Sequence, residues 1–267
     1  MKILTGPCVL EDRDTVLRIA EKLQPLSEDK RVEFYFKASF DKANRTSLNS
    51  YRGPGLEEGL KLFQEIKEQF GYKLVTDIHE SFQAKPAGEV LDVLQIPAFL
   101  CRQTDLLVEA AKTNCKINIK KGQFLAAGSM SHPVEKVLKT RGVDEVNYKN
   151  SDENGVWLCE RGNTFGYGAL VVDMKNLIAM REYAPVIFDA THSAQVPSTG
   201  GTTGGNSAVV PSLAKAAAAV GVDGFFFETH TDPSVALSDG PNMVQVDELY
   251  NVIEDIFNIQ EVLGYNK

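Results

Sequence analysis

The feature that most constrains this chain is an alternation repeated eight times. Short runs rich in Val, Ile, Phe and Tyr, bounded by Gly, Pro, Asn or Asp, alternate with longer segments whose apolar residues recur at helical spacing. The runs are Lys2 to Gly6, Val32 to Ser39, Lys73 to Ile78, Val93 to Pro97, Lys116 to Lys120, Val156 to Glu160, Val186 to Thr191 and Gly224 to Thr229. Helical spacing is clearest in Leu56, Leu60, Phe63 and Ile66, and in Leu249, Val252, Ile253, Ile256 and Ile259. Gly71, Gly142 and Gly221 follow three such segments, where a left-handed helix cap is wanted. Spread over eight units, 267 residues give about 33 each, close to the ~30 of a βα repeat. Strict alternation implies a parallel sheet, and eight units imply its closure into a single-domain (β/α)8 barrel spanning residues 1–267. The alternative is an open doubly wound sheet, but the first strand-to-helix turn has no G-x-G-x-x-G.

Two polar stretches interrupt the rhythm. NYKNSDENG at 147–155 lies between a helix and the next strand, so it is expected as a solvated loop on the barrel's N-terminal face. PSTGGTTGGNS at 197–207 follows a strand, on the face where barrels keep their chemistry.

The strand ends carry the functional argument. In chain order they present Cys8; Lys37 and Ser39; Asp77 and His79; Gln95; Lys120, Lys121 and Gln123; Glu160 and Arg161; Asp189 and His192; Glu228 and His230. Polar residues do mark where strands meet water, but that explains one or two ends and not all eight. The chain is acidic overall, with 28 basic against 36 acidic residues and a net charge of -8, which argues against a nucleic-acid or anionic-membrane partner. Yet Lys37, Lys42, Arg45, Arg102, Lys120 and Arg161 gather on or just beyond the strand ends. Positive charge in a concave site favours small, multiply charged anions, and Arg and Lys are the usual binders of phosphate and carboxylate. Within KINIK, Asn118 and Lys120 share one face of the strand and Ile117 and Ile119 the other.

Cys8, His192, Glu228 and Asp239 form a second constellation, a donor set of mixed softness that suits a divalent metal. Their spacing is no local motif, so a buried thiol, a lone site histidine and carboxylates paired with lysines remain open readings. Cys115 and Cys159 read as packing residues, and Cys101 stands beside Arg102 at the site end. Disulfides are not expected from four such scattered cysteines. No apolar stretch is long enough to span a membrane, and MKILTGPCVLEDRD lacks a signal-type apolar run, so a cytoplasmic location is expected.

KASFDKANRTS, YRGPGLEEG, TDIHE, IPAFLCRQTD, KKGQF, ERGNTFGY, FDATHS and ETHTDP together resemble the 3-deoxy-D-manno-octulosonate 8-phosphate synthases. The resemblance runs from GPC at 6–8 to SDGP at 238–241 and implies a (β/α)8 barrel that condenses phosphoenolpyruvate with D-arabinose 5-phosphate. Two alternatives stand beside it. The related aromatic-pathway synthase uses erythrose 4-phosphate, but it resembles K-P-R where this chain reads Lys42-Ala43-Asn44-Arg45. A catalytically silent sugar-phosphate-binding barrel would have little reason to keep the metal set and the basic ring.

Carried over by resemblance, Lys42, Gln95, Lys120 and Arg161 hold phosphoenolpyruvate, and Lys37, Ser39, Ala98 and Gln123 line the same pocket. Asn44, Arg45 and Thr46 take the aldose and its phosphate, Gln195 joins the substrate contacts, and Arg102 reaches the site of a neighbouring subunit in a homotetramer. Cys8, His192, Glu228 and Asp239 match the ligands of the metal-dependent class, for Zn, Fe, Mn or Co, as does Lys120-Lys121-Gly122. SDGP looks more like the metal-free class. Lys42, Lys120, His192 and Asp239 are the residues expected to carry catalysis.

Overall fold

The computed structural model describes residues 1–165, 168–196 and 204–265. Eight parallel strands form the barrel: β1 (Lys2–Gly6), β2 (Glu33–Lys37), β3 (Lys73–Asp77), β4 (Val93–Ile96), β5 (Lys116–Lys120), β6 (Val156–Glu160), β7 (Val186–Asp189) and β8 (Gly224–His230). Each pairs with the next in chain order, and β8 closes on β1 from Lys2 opposite Gly224 to Gly6 opposite Glu228. The closed (β/α)8 barrel is therefore the fold, and the open sheet is excluded. Four strands stop one or two residues short of the sequence reading, and β8 runs one residue longer.

A helix follows each strand on the outside: α1 (Arg13–Lys22), α2 (Leu56–Phe70), α3 (Ala84–Gly88), α4 (Thr104–Ala111), α5 (Ser131–Thr140), α6 (Met174–Met180), α7 (Val210–Val220) and α8 (Val246–Val262). Among the described residues, no helix is long and apolar enough to cross a membrane. Gly71 ends α2 with φ +70, as its place in the sequence requires. The strands divide their side chains by the period of two. Outward residues such as Ile3, Phe36, Leu74, Ile117, Ile119 and Phe225 join the main core under the helices. Inward residues Leu4, Tyr35, Val75, Val93, Trp157, Cys159, Ile187 and Phe226 fill the barrel itself.

Two departures from the sequence reading concern the polar stretches. Residues 147–155 are not a solvated loop, since Tyr148–Glu153 is a short helix. Asn147 caps it by accepting from the Asn150 amide, buried Ser151 donates to the Tyr183 carbonyl, and Tyr148 Oη donates to Asp223. Polar composition suggested solvent, but here each of these groups has a specific partner. Most of 197–207 lies outside the described residues; at its borders Gln195–Val196 pairs antiparallel with Gly204–Gly205.

The N-terminal end of the barrel is closed by an ion cluster under the aromatic plug. Glu33 accepts from Tyr35 Oη (2.6 Å), Lys73 (3.0 Å) and Lys116 (3.3 Å), while Lys2 and Lys116 lie over the Trp157 ring. Burial alone would raise the Glu33 carboxyl, but these donors outweigh it and hold it at about 2. A carboxyl lowered on folding adds stability above its unfolded value, and that stability is lost as pH falls towards the folded value. Because the cluster is partly exposed, Glu33→Gln is expected to cost only about 1 kcal/mol near pH 7. In urea unfolding, the gap from wild type should narrow as pH drops from about 5 towards 2. A gap that is constant over this range would mean that the charge of Glu33 is not what matters.

Candidate active site

At the opposite end, the inward positions change from apolar to charged within one turn of the pleat. Above Phe226 and its neighbours stand Lys37, Ser39, Asp77, Gln95, Asn118, Lys120, Asp189 and Glu228, all buried. Lys37 Nζ donates to Ser39 Oγ and to Glu228 Oε1, both at 3.2 Å, and Ser39 Oγ donates to Asp77 at 2.5 Å. Gln95 donates to the other oxygen of Asp77 and accepts from Asn118 Nδ2 at 2.9 Å. Lys120 donates to Asp189 and sits 4.0 Å from the centre of the Phe226 ring. Lys42 Nζ lies 3.7 Å from Glu228.

Buried charges persist only when paired. Burial by itself would raise the carboxyls of Asp77, Asp189 and Glu228. The groups facing them outweigh it and hold all three well below the usual range: Lys37 and Lys42 at Asp77, His192 and Lys120 at Asp189, His192, Lys42 and Lys37 at Glu228. Burial disfavours the ammonium of Lys120 as well, but Asp189 raises its pKa on balance.

The four candidate metal ligands converge. One ligand atom each from Cys8, Glu228 and Asp239 lies within 4.8 Å of the other two. His192 Nε2 is 3.7 Å from Glu228 Oε1 and 3.5 Å from Asp239 Oδ2. Cys8 reaches the cluster just past β1, and Gly6 prepares its approach: a Cβ there would stand 2.3 Å from the Lys37 carbonyl oxygen, so only glycine lets β1 and β2 come this close before Cys8. Burial and then Glu228 push the Cys8 thiol up to about 12, and its Sγ lies 2.9 Å from Ser238 Oγ. Glu228 Oε2 is buried without a hydrogen-bond partner. An unsatisfied carboxylate oxygen beside a thiol, an imidazole and a second carboxylate is a donor set that fits a divalent cation. Asp239 holds its position with φ +54, in the left-handed region, the one non-glycine residue described there.

Over this floor opens a cavity of about 810 Å³, lined among others by Asn44, Arg45, Thr46, Tyr51, Gln123, Arg161, Gln195 and Asp239. A smaller recess of about 100 Å³ runs deeper, to Lys37, Asp77, His79, Gln95, Ala98 and Lys120. Gln195 ties the two halves of the rim, accepting from Arg161 at 2.5 Å and donating to Asp239 at 2.8 Å.

Nearly all of the residues singled out from the sequence thus meet at one mouth. Arg102 does not: it is exposed and lines neither cavity. Three of the polar strand ends also face elsewhere. Lys121 and Glu160 point outward, one residue out of phase with Lys120 and Arg161, and pair at 3.5 Å with both side chains fully buried. Glu160 Oε1 accepts from the amides of Arg161 and Gly162, and Lys121 donates to Asn163 Oδ1 at 2.6 Å. His230 turns to Glu11, 3.7 Å away. Cys101 and Cys115 are buried thiols, with Cys115 donating to the Leu91 carbonyl. In the other direction, Asp77, Asn118 and Asp189 belong to the network, although no role was assigned to them from sequence. Their inward phase along β3, β5 and β7 was the available signal.

Comparison with known proteins agrees over the whole length. The profile described as the DAHP synthetase I family matches residues 1–261. The chain is 61% identical over 263 residues to a 2-dehydro-3-deoxyphosphooctonate aldolase of Helicobacter hepaticus, covering 98% of this chain and 97% of that one. Proteins of the same name from Campylobacter jejuni strain RM1221 (59% over 268 residues, 100% and 99% covered) and Wolinella succinogenes (59% over 263 residues, 98% and 100% covered) are similarly close.

The outward pair generates a stability prediction. Lys121→Met removes a buried cation and leaves Glu160 facing an apolar group, a change expected to cost roughly 3 kcal/mol. In a chain of this size the melting temperature should fall by roughly 6–12 °C. Thermal unfolding of the two proteins side by side decides it; an unchanged melting temperature would show that the pair contributes nothing net.

Proposed function

The chain belongs to the DAHP synthetase I family, and we propose that within it the mouth condenses phosphoenolpyruvate with D-arabinose 5-phosphate and water, giving 3-deoxy-D-manno-octulosonate 8-phosphate and inorganic phosphate. The observation that carries this reading is the set of cations, Lys37, Lys42, Lys120 and Arg161, turned into one recess directly beside the Cys8–Glu228–Asp239 cluster. The name shared by the relatives denotes an eight-carbon acid. Three carbons of phosphoenolpyruvate and five of a pentose make eight, whereas erythrose would stop at seven.

The reaction joins C3 of phosphoenolpyruvate to the aldehyde carbon, adds water oxygen at C2 and breaks the C–O bond to phosphate. Two phosphates and a carboxylate must be brought together against their own repulsion, and the buried lysines answer that need. Lys42, Gln95, Lys120 and Arg161 hold phosphoenolpyruvate in the deep recess, with Lys37, Ser39, Ala98 and Gln123 around it. Asn44, Arg45 and Thr46, on the rim of the larger cavity, take the aldose and its phosphate. Cys8, His192, Glu228 and Asp239 would hold a divalent ion, one of Zn, Fe, Mn or Co. When bound, such an ion supplies Lewis acidity towards the aldehyde oxygen. His192 and Asp239 face the same space and can orient the water that adds at C2. Arg102 acts in a neighbouring subunit of a homotetramer, a role supported by its exposure away from its own mouth. The proposed use of phosphoenolpyruvate, a metabolite of the cytoplasm, supports a cytoplasmic location.

With phosphoenolpyruvate present, kcat/KM for arabinose 5-phosphate should exceed that for erythrose 4-phosphate at least tenfold. Chelation should abolish most turnover, and Mn²⁺, Fe²⁺, Co²⁺ or Zn²⁺ should restore it to differing degrees. Equal use of both aldoses would refute the substrate assignment, and full activity with no metal by elemental analysis would refute the metal. For Arg102, mixed oligomers of Arg102→Ala subunits with subunits inactive at Lys120 should regain part of the lost activity. Activity that merely tracks the fraction of intact subunits would refute a role across the interface.

A further inference from the structure

Asp189 is fully buried at the end of β7 and makes three contacts, each of which needs an acceptor. Its Oδ1 accepts from the His192 backbone amide at 2.8 Å. Its Oδ2 accepts from Lys120 Nζ and lies 2.7 Å from His192 Nδ1. A carboxylate oxygen can only accept, so a contact of 2.7 Å requires a proton on Nδ1, in the charged ring as in the neutral one. In the neutral ring, the form that can ligate, this leaves the lone pair on Nε2, the nitrogen that faces Glu228 and Asp239. Lys120 Nζ is only 3.3 Å from Nδ1, so without the carboxylate between them it would donate to that nitrogen and move the ring proton to Nε2.

We propose that Asp189 is the positioning residue that presents His192 to the metal cluster in the right tautomer, and that through Lys120 the same carboxylate sets the neighbouring anion site. The proposal rests on the metal reading above and adds the residue on which that reading depends. Ligating histidines generally give their second N–H to such a partner, whose loss lowers metal affinity by about 10–100-fold. Asparagine is the informative replacement because it keeps the shape but only one of the two acceptor oxygens. With its oxygen at the Oδ2 position, the amide group meets the His192 N–H donor to donor. With the amide group at Oδ2, it meets both the Lys120 ammonium and Nδ1, and so favours the wrong tautomer.

The test uses metal-stripped protein titrated with Co²⁺ alone, read by chelator competition and by thiolate-to-cobalt absorption, together with ¹⁵N NMR of the histidine rings. Wild type should show His192 protonated at Nδ1 and should bind Co²⁺. Asp189→Asn should shift the proton to Nε2 and weaken Co²⁺ binding about 10–100-fold. Lys120→Met, which leaves the Asp189–His192 contact intact, should keep or gain affinity. An equal loss in Lys120→Met would overturn the proposal by showing that charge balance alone governs the site, and so would unchanged affinity in Asp189→Asn. Should Asp189→Asn fail to fold, the wild-type spectrum still decides, since a neutral ring with its proton on Nε2 refutes the assignment. Wild type that binds no Co²⁺ would instead sink the metal reading, and the proposal with it, while leaving the tautomer measurable.

Discussion

The mouth depends on a charge balance struck below the waterline of the barrel. Asp77, Asp189 and Glu228 are buried carboxylates, and Lys37, Lys42 and Lys120 are the ammonium groups that keep them ionised. Neither set would survive alone in so dry a place. The Phe226 ring and the apolar plug beneath exclude water from below, so the field among these groups is little screened. Any anion that enters the recess therefore meets cations already fixed in place, with little reorganisation left to make.

The backbone arranges this balance with simple means. Along each parallel strand every second residue points inward, and each strand delivers apolar groups at its lower half and polar ones at its end. The same rule sends Lys121 and Glu160 to the outer side, where their pairing ties the turn bearing Arg161 to that bearing Gln123; the Thr164 amide, donating to the Gln123 carbonyl, adds a further tie. Two adjacent loops of the mouth are thus secured from behind by an ion pair that faces away from the cavity.

Much of this was legible beforehand, because the barrel follows from hydrophobic period and unit length, both local properties. The candidate ligand cluster was legible as residue types, Cys8, His192 and Glu228 at or just past strand ends and Asp239 in the loop after β8; barrel closure brings the first three together, and a left-handed turn brings in Asp239. What escaped was of two kinds. Phase errors came from treating each strand end as a patch: Lys120 and Lys121 are neighbours in sequence and belong to opposite sides of the sheet. The place of Asp189 escaped because its pairing with Lys120 joins strands far apart in the chain, and its contact with His192, only three residues on, depends on the course of the turn after β7. The helix at Tyr148–Glu153 was hidden by its polarity, since its partners, Tyr183 and Asp223, belong to later turns of the barrel.

Asp239 shows how narrowly the turn and the chemistry constrain each other. At φ +54 its backbone sits where glycine is at ease and where asparagine and aspartate are the best tolerated of the rest. Of these three, only aspartate brings a negative charge to the cluster beside Cys8 and Glu228. Drift at this position is accordingly confined to two exits, glycine and asparagine, both easy on the fold and both stripping the cluster of one charge. The same S-D-G-P resembles the metal-free class, so the aspartate answers to the turn as well as to the cluster, and position 239 by itself would keep no record of a lost cation.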